Sequence, residues 1–310
     1  QGLSSSEAMF WGESEAMRRI LRLVEKVAET DANVLITGEN GTGKEVMARE
    51  IHRRSLRRDE LMVAVDMGAL PESLFESELF GHCKGAFTDA HTDRIGKFEI
   101  AQGGTLFLDE IGNLSYHLQA KLLSAIQSRT IVRVGSNRPV ETDVRLICAT
   151  NQNLQAMVAQ ERFRRDLLYR INTIHIEIPP LRQRREDIVP LARLFLEKYA
   201  AKYGKQGIRI DEEACRKLQE YDWYGNIREL QHTVEKAVII CDSMTIGQES
   251  LLMTPQQEEP NAGGVSTLEE MERNMIRQAI RLHESNMSAV AAQLGITRQT
   301  LYNKIKKYGL

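Results

Sequence analysis

Two short motifs in the first half of the chain combine residue types and spacing suited to phosphate chemistry. The first follows an apolar stretch and reads Gly-Glu-Asn-Gly-Thr-Gly-Lys-Glu. Its glycines let backbone N–H groups turn towards phosphate oxygens, and its lysine supplies a positive charge for the β- and γ-phosphates. Because the motif opens a predicted helix, it indicates a P-loop rather than a chance glycine-rich loop. This P-loop comprises Gly38, Glu39, Asn40, Gly41, Thr42, Gly43, Lys44 and Glu45.

The second motif is an apolar run that ends in Asp109 and Glu110. An acid pair at the end of a buried strand can hold Mg²⁺ through one carboxylate and activate water through the other. We assign the first role to Asp109 and the second to Glu110. Together the two motifs predict a site that binds ATP with Mg²⁺ and hydrolyses ATP, although Glu45 stands where the general P-loop has a Mg²⁺-binding Ser or Thr.

Three further residues have side chains that could assist phosphoryl transfer. Arg164 and Arg170, six residues apart on a predicted helix, could stabilise the charge that develops on the γ-phosphate. Asn151 closes the apolar stretch 144–150, where it could contact the γ-phosphate or the attacking water. A plain turn residue at a strand end is an equally good interpretation of Asn151 on sequence alone.

A hexapeptide between the two motifs has no catalytic purpose that the sequence explains. It is mostly small residues with one aromatic and one hydroxyl side chain, and it interrupts the nucleotide-binding pattern. The aromatic ring could contact a partner, but on these residues alone we favour a ring that folds back into the local core. The hexapeptide comprises Gly85, Ala86, Phe87, Thr88, Asp89 and Ala90.

The apolar stretches place these motifs on an α/β fold. Residues 6–180 alternate strands with helices, which predicts a parallel sheet with helices on both faces. The predicted strands are 34–37, 61–65, 105–108, 144–150 and 173–178, and the predicted helices are 14–29, 45–54, 115–127 and 163–171. After Pro179 and Pro180, residues 181–252 are predicted to form an all-helical subdomain, with no strand in 185–241. Residues 253–265 are predicted to be a flexible linker.

Residues 266–310 have the pattern of an all-α helix-turn-helix unit. Helices are predicted at 266–283, 287–294 and 298–307, and Thr297 is a suitable N-cap for the last one. That helix could enter the major groove of double-stranded DNA, although a solvated basic face is an equally good interpretation by itself. Its candidate DNA contacts are Thr297, Arg298, Gln299, Thr300, Tyr302, Asn303, Lys304, Lys306 and Lys307.

Composition argues against several other classes of protein. The 310 residues carry a formal net charge of −2, so any affinity for nucleic acid must come from a local patch. The four cysteines lack the spacing of a zinc site or a disulfide framework, which indicates a reducing, cytoplasmic location. No apolar run approaches the roughly 20 residues of a membrane helix. Because the chain begins with Gln1, we expect it to be part of a longer protein.

Five segments together resemble the AAA+ domain of the sigma-54-dependent transcriptional activators, the NtrC-like enhancer-binding proteins. They are the P-loop, Glu-Ser-Glu-Leu-Phe-Gly-His at 76–82, the hexapeptide, Gly-Gly-Thr-Leu-Phe-Leu-Asp-Glu at 103–110, and Phe-Arg-Arg-Asp-Leu-Leu-Tyr-Arg at 163–170. Residues 291–298 and 300–302 are similar to the Fis-like helix-turn-helix that ends the same family. The resemblance covers almost the whole chain, and glutamate at position 45 is usual in it.

The resemblance implies a DNA-binding activator that hydrolyses ATP to remodel sigma-54 RNA polymerase holoenzyme and open promoters. It implies a ring, usually a hexamer with a heptamer as the alternative, in which Arg164 and Arg170 reach a neighbour's site as arginine fingers. Asn151 falls in the family's sensor I segment, and Arg228 matches the sensor II arginine of its helical lid. The helix-turn-helix is expected to dimerise on an enhancer-type DNA site.

Within the hexapeptide, the resemblance assigns contact with sigma-54 to Phe87 and Thr88. Asp89 stands where the family usually has Gly, and Asp66 stands where it usually has an Asn that restrains the catalytic glutamate. An ionised aspartate cannot donate a hydrogen bond to Glu110. A like-charge contact or a bridging water would therefore have to replace that restraint.

We predict that the chain is the ATPase and DNA-binding part of a response regulator that activates sigma-54 RNA polymerase. Two alternatives stay open at this point. One is an ATP-dependent, oligomeric DNA-binding regulator that does not act through sigma-54, as Asp89 would allow. The other is a repressor with an inactive ATPase core, against which the intact Lys44, Asp109 and Glu110 argue.

Overall fold

The computed structural model describes residues 9–68, 72–87, 90–253, 273, 276, 287, 290, 291 and 296–308. They belong to two compact units, Gln1–Met253 and Thr254–Leu310. Several predictions fall outside the described residues: the linker after Met253, most of the helix predicted at 266–283, and Thr88 and Asp89 of the hexapeptide.

A five-stranded parallel sheet forms the centre of the first unit. In space the strands run in the order β2-β3-β6-β1-β7, and a separate antiparallel pair, β4 with β5, forms a hairpin beside it. The strands are β1 Val34–Thr37, β2 Met62–Asp66, β3 Thr105–Asp109, β4 Thr130–Val132, β5 Pro139–Glu141, β6 Arg145–Thr150 and β7 Ile174–Glu177. The parallel-sheet prediction is confirmed, and its strand limits differ from the observed ones by at most one residue.

The register of the sheet brings the carboxyl ends of its strands to one edge. Asp66 of β2 lies opposite Asp109 of β3, and Thr37 of β1 lies opposite Thr150 of β6. Consecutive residues on a strand face opposite sides. Leu106 and Leu108 therefore pack in one apolar core, whereas Phe107 packs in the other.

Helices cover both faces of this sheet. They are α1 Glu15–Ala28, α2 Lys44–Arg53, α3 Glu72–Phe80, α4 Lys97–Ile100, α5 Tyr116–Ser128, α6 Leu154–Ala159 and α7 Arg165–Ile171. The α1 helix begins where the Ser14 hydroxyl accepts a hydrogen bond from the Met17 N–H, and its apolar side packs on the sheet. The sequence prediction did not include α3, α4, α6 or the β4–β5 hairpin.

The region after Pro180 is a mainly helical subdomain with its own core. Its helices are α8 Ile188–Lys202, α9 Glu212–Glu220 and α10 Asn226–Ile240. Trp223 is completely buried there, where its Nε1 donates to the Leu218 carbonyl at 2.7 Å. The absence of strands predicted for 185–241 needs one correction, because β8 Arg209–Ile210 pairs with β9 Thr245–Ile246. This short pairing joins the loop between α8 and α9 to a segment near the end of the subdomain.

The second unit is described around its last helix, α11 Arg298–Tyr308. The Thr297 hydroxyl accepts a hydrogen bond from the Thr300 N–H at 3.2 Å, which confirms Thr297 as the N-cap. Leu301 is buried in a small core with Ile276, Val290 and Ala291. One side of α11 thus packs inwards, while its polar residues face outwards.

Candidate active site

The P-loop joins β1 to α2 and wraps around the side chain of Lys44. Lys44 is only 7% exposed, and its Nζ donates to the carbonyls of Gly38 at 3.1 Å and Glu39 at 3.4 Å. Gly43, the residue before α2, has φ +99°, a left-handed conformation that favours glycine. The loop therefore presents a positive charge and the N-terminus of a helix at one place.

The predicted acid pair lies at the end of β3, beside this lysine. Glu110 Oε1 is 3.7 Å from Lys44 Nζ, and the Glu110 N–H donates to Asp109 Oδ1 at 3.0 Å. Burial raises the pKa of the Asp109 carboxyl above its usual value, and the charge of Glu110 raises it further. Glu110 itself has φ +54°, which is uncommon for a residue with a side chain.

Asn151 connects the acid pair to the P-loop. Its backbone N–H donates to Glu110 Oε2 at 3.4 Å, and its Nδ2 donates to Asn40 Oδ1 at 3.0 Å. The carboxyl ends of β1, β3 and β6 therefore bring together Lys44, Asp109, Glu110 and Asn151, which are far apart in the sequence. Asn151 therefore lies between the P-loop and the acid pair.

Asp66, at the end of β2, has no hydrogen bond to Glu110 among the described residues and bonds instead to its own turn. Its Oδ1 accepts a hydrogen bond from the Gly68 N–H at 2.7 Å. Glu110 instead has Lys44 and Asn151 as neighbours. The structure therefore gives Asp66 a backbone partner of its own within residues 66–68. The charge of Asp66 acts on Asp109, whose pKa it helps to raise.

The two predicted arginines lie away from the acid pair of their own chain. Arg164 is the N-cap residue of α7 rather than part of the helix. Its guanidinium pairs with Asp166 at 2.8 Å and lies 5.4 Å from the centre of the Tyr116 ring. Arg170 is exposed near the end of α7, and its carbonyl accepts from Asn33. In the described residues, no hydrogen bond, ion pair or ring contact joins either arginine to Lys44, Asp109 or Glu110.

A buried glutamine that the sequence analysis missed fixes the backbone before α7. Gln119 is completely buried in α5, and its Nε2 donates to the carbonyls of Leu114 at 2.8 Å and Arg162 at 3.1 Å. Its Oε1 accepts from the Arg164 N–H at 2.8 Å. Since these partners lie up to 45 residues away, no local pattern could have identified this role.

Arg228, the predicted sensor II residue, lies in the first turn of α10 and is exposed. It borders the P-loop: a methyl group placed on Gly41 would lie 3.2 Å from Arg228 Cβ. The same methyl group would lie 2.3 Å from the Gly225 carbonyl oxygen, so the lid requires glycine at position 41. The structure thus brings the predicted lid arginine to the phosphate-binding loop.

The described part of the hexapeptide forms a turn closed by backbone hydrogen bonds. The Gly85 N–H donates to the Ala90 carbonyl at 2.8 Å, and the Ala90 N–H donates to the Phe87 carbonyl at 3.0 Å. The Phe87 ring packs edge-on against His82, with ring centres 5.0 Å apart, yet it stays 40% exposed. Phe87 therefore has one aromatic contact and a large free surface.

The polar residues of α11 provide a surface suited to a nucleic acid. Thr297, Arg298, Gln299, Tyr302, Asn303 and Lys307 are exposed, whereas Thr300 and Lys304 are half-buried. The side chain of Lys306 lies outside the described residues. A helix that buries Leu301 and exposes this polar side can present it to a major groove.

Three protein-family models match successive parts of the chain. The sigma-54 interaction domain matches residues 10–177, an AAA+ ATPase lid domain matches residues 182–267, and the bacterial regulatory protein, Fis family, matches residues 267–308. The first match alone spans more than half of the chain. The chain belongs to the sigma-54-dependent transcriptional activators. Its sigma-54 interaction domain is an AAA+ ATPase, and its DNA-binding domain is a Fis-type helix-turn-helix.

Individual relatives agree with this family. The transcriptional regulatory protein ZraR of Klebsiella oxytoca is 47% identical over 301 residues, which cover 96% of this chain and 68% of ZraR. The regulatory protein AtoC of Escherichia coli strain K12 is 45% identical over 327 residues, which cover 100% of this chain and 70% of AtoC. The crystal structure of NtrX from Brucella abortus in complex with ATP has a TM-score of 0.74 and 32% identity, covering 99% of this chain and 71% of NtrX.

The family shows that this activator binds and hydrolyses ATP, binds DNA and works with sigma-54. The prediction of its fold and of its general function is confirmed, and the two alternatives to a sigma-54-dependent activator are set aside. No helix in the described part of the chain has both the length and the apolar character needed to cross a membrane.

Proposed function

We propose that the activator hydrolyses ATP with the residues at the carboxyl ends of β1, β3 and β6. One observation carries the proposal: Lys44, which can neutralise phosphate, lies 3.7 Å from the Glu110 carboxylate, which can activate water. Asn151 holds the other Glu110 oxygen and also contacts the P-loop. A lysine that neutralises phosphate and a carboxylate that orients the nucleophile are two of the groups that phosphoryl transfer uses.

In the proposed reaction, Glu110 is the general base. The oxygen of a water molecule bonds to the γ-phosphorus while its proton passes to the Glu110 carboxylate. The bond from that phosphorus to the oxygen bridging the β- and γ-phosphates breaks, which leaves ADP and inorganic phosphate. Lys44 and the P-loop N–H groups stabilise the charge on the phosphates, and Asn151 orients the base.

Asp109 is the residue that fits a role in holding Mg²⁺. Burial and two neighbouring carboxylates raise its pKa, so a cation would balance charge there. The described residues contain no cluster of three or more His, Cys, Asp or Glu side chains arranged to hold a metal ion by themselves. Phosphate oxygens and water would complete the ligands, as Mg²⁺ usually requires. When bound, Mg²⁺ supplies positive charge to the β- and γ-phosphate oxygens.

The arginines favour a site completed by a second copy of the chain. Arg164 pairs with Asp166, Arg170 is exposed, and neither bonds to the acid pair among the described residues, so we assign both to a neighbour's γ-phosphate in a closed ring. We propose a hexamer, with a heptamer as the alternative closure of the same head-to-tail interface. Arg228, which borders Gly41, senses the nucleotide from the lid of the same chain.

The loop at residues 85–90 is the proposed contact with sigma-54. Phe87 offers an exposed aromatic surface, which suits a partner contact. A ring would present several copies of the loop, and weak contacts would then add. We place Thr88 and Asp89 in the same contact on the family resemblance, since they lie outside the described residues.

The helix-turn-helix is proposed to bind an enhancer-type DNA site as a dimer. Residues at the start of α11, from Thr297 to Thr300, would reach base edges, and the lysines near its end would reach phosphates. Arg298, Gln299, Tyr302 and Asn303 complete the exposed surface. Acting on DNA and polymerase places the activator in the bacterial cytoplasm.

Two variants with opposite readouts test this proposal. We expect Glu110→Gln to bind ATP but to release phosphate about 10²-fold more slowly, because it removes the base. We expect Thr88→Ala to hydrolyse ATP at close to the wild-type rate and to lose open-complex formation with sigma-54 RNA polymerase. Glu15→Gln, an exposed change on α1, is the control. Hydrolysis within about tenfold of wild type in Glu110→Gln, or open complexes with Thr88→Ala, would refute the corresponding assignment.

A further inference from the structure

The lid contacts the P-loop through side chains that the reaction above does not use. Arg182 Nη1 donates to Glu39 Oε2 at 2.8 Å, and its Nη2 donates to the other carboxylate oxygen. This two-bond geometry is specific for arginine and carboxylate. Arg182 lies at the entrance to the lid, whereas Glu39 is the second residue of the P-loop, so the pair ties the two together.

Asn226 strengthens the same connection from inside the lid. It is completely buried, and its Nδ2 donates to Glu39 Oε2 at 3.1 Å and to the Asn40 carbonyl at 3.0 Å. Its Oδ1 accepts from the Leu181 N–H at 2.7 Å, which fixes the turn that carries Arg182. Asn226 has φ +53°, a left-handed conformation that asparagine adopts more readily than most residues.

Two further hydrogen bonds continue this contact along the loop. The Ile227 N–H donates to the Gly41 carbonyl at 3.0 Å, and the buried Arg184 donates to the Thr42 carbonyl at 3.4 Å. Four successive P-loop residues, Glu39 to Thr42, are therefore each bonded to the lid. The bonded residues lie up to 187 positions apart in the sequence, so no local sequence pattern could have predicted these contacts.

We propose that Arg182, Glu39 and Asn226 form a positioning clamp that sets the P-loop backbone for ATP and lets the lid tune ATP affinity. The clamp acts through the loop and is distinct from any contact that Arg228 makes with the nucleotide. It rests on the assignment of residues 38–45 as the ATP-binding loop, but not on the roles proposed for Glu110, Arg164 or Arg170.

Two physical effects give the clamp its influence on ATP. A loop already held in its binding conformation loses less conformational entropy when phosphates bind. The Arg182 guanidinium also balances the Glu39 carboxylate, whose pKa it lowers through their hydrogen bond. Without Arg182, that negative charge would stand unbalanced beside a polyphosphate.

The experiment compares ATP binding with turnover in four variants. We expect Arg182→Gln to raise the Kd and KM for ATP about tenfold while kcat stays within about twofold of wild type, and Glu39→Gln to raise the Kd for ATP by a similar factor. Because both changes break the same clamp, the double variant is expected to be no weaker than the worse single one. The reversed pair, Glu39→Arg with Arg182→Glu, restores the ion pair but removes the acceptor of the Asn226 amide, so it is expected to recover part of the lost affinity.

A neighbouring arginine provides the matched control. Arg185 lies three residues after Arg182, pairs with Asp222 at 3.0 Å, and has only lid residues as described partners. We expect Arg185→Gln to leave the Kd within about twofold of wild type. The clamp is refuted if Arg182→Gln weakens ATP binding no more than Arg185→Gln does, or if the two single effects add fully in the double variant.

Folding and function can be separated in this test. Thermal unfolding of each variant reports whether the lid is intact, and a misfolded Arg182→Gln would make the reversed pair the deciding measurement. Recovery of affinity in that pair supports the clamp, and its absence in a folded protein overturns it. Failure of the proposed reaction would appear elsewhere, as continued hydrolysis by Glu110→Gln.

Discussion

The nucleotide site and the loop at residues 85–90 are held in the fold by opposite means. At the nucleotide site the side chains are buried and bonded: Lys44 is 7% exposed, and Asn226 is completely buried. The loop is closed by backbone hydrogen bonds, and its aromatic residue, Phe87, is 40% exposed. The first arrangement fixes charges in place before reaction, whereas the second leaves an aromatic surface open to a partner.

The base of the loop resembles the nucleotide site, because hydrogen bonds and an ion pair hold it. His82 exchanges backbone hydrogen bonds with Arg94 at 2.9 and 2.8 Å, and its ring nitrogen lies 2.7 Å from the Ser77 hydroxyl. Glu78 on α3 pairs with Arg94 at 2.6 Å. The start of the loop is therefore joined to α3 by a hydrogen bond and an ion pair.

The largest expected effect removes the charge that the nucleotide site holds most tightly. We expect Lys44→Ala to lower the rate of ATP hydrolysis at least about 10²-fold, because no other described cation lies as close to the Glu110 carboxylate. Phosphate release at saturating ATP measures it, and Lys26→Ala on the exposed side of α1 is the control. A rate within about tenfold of wild type would contradict a buried, preset nucleotide site.

A comparable effect on stability follows from the loss of a buried hydrogen-bonding side chain. Gln119→Leu leaves the Leu114 and Arg162 carbonyls and the Arg164 N–H without their buried partner. We expect the free energy of unfolding to fall by about 3 kcal/mol, as measured by urea denaturation. Gln127→Leu, on the exposed side of the same helix, should change it by no more than about 0.5 kcal/mol. Equal midpoints of urea unfolding for the two variants would argue against Gln119 as a fixed support for Arg164.

A pair of phenylalanines tests the difference between core and loop directly. Phe80 is 3% exposed and stacks on Phe98 with ring centres 5.5 Å apart, so Phe80→Ala should lower the free energy of unfolding by about 3–5 kcal/mol. Phe87→Ala should lower it by no more than about 1 kcal/mol. Phe87→Ala should keep its ATPase activity and lose open-complex formation. A stability loss like that of Phe80→Ala would mean that Phe87 is a core residue.

The smallest effect concerns an ion pair beside the loop. Arg133 pairs with Glu99 at 2.5 Å and holds the pKa of that carboxyl below its usual 4.5. A lowered pKa in the folded state adds stability above about pH 4.5, and this stability is lost as the pH falls through the folded pKa. We expect Glu99→Gln to lower the free energy of unfolding by about 1 kcal/mol near pH 7 and to leave it unchanged at a pH below that folded pKa. Urea denaturation at both pH values tests this, and an equal cost at both would exclude the ion pair as its cause.

Local patterns predicted the strands and the P-loop, because buried strands are apolar and the phosphate turn needs glycine. The sequence analysis missed the α3 helix, which has nine residues, 72–80. Part of this segment served as a family motif, and its helical spacing of apolar residues was not used as evidence of a helix. The buried side chains that support the site were missed for a different reason. Gln119 and Asn226 act on partners that only the folded chain brings near them, and neither has a sequence signature.

Burial of Trp223 gives the activator an internal optical probe. The chain has two tryptophans, Trp11 and Trp223, and neither lies after residue 253, so the DNA-binding unit contributes no indole emission. Trp223 lies three residues before Asn226, in the buried core of the lid. Trp11 is partly exposed beneath the Arg54 guanidinium. Blue-shifted fluorescence should therefore come chiefly from the lid, and titration with ATP or with DNA should distinguish events in the two units without any added label.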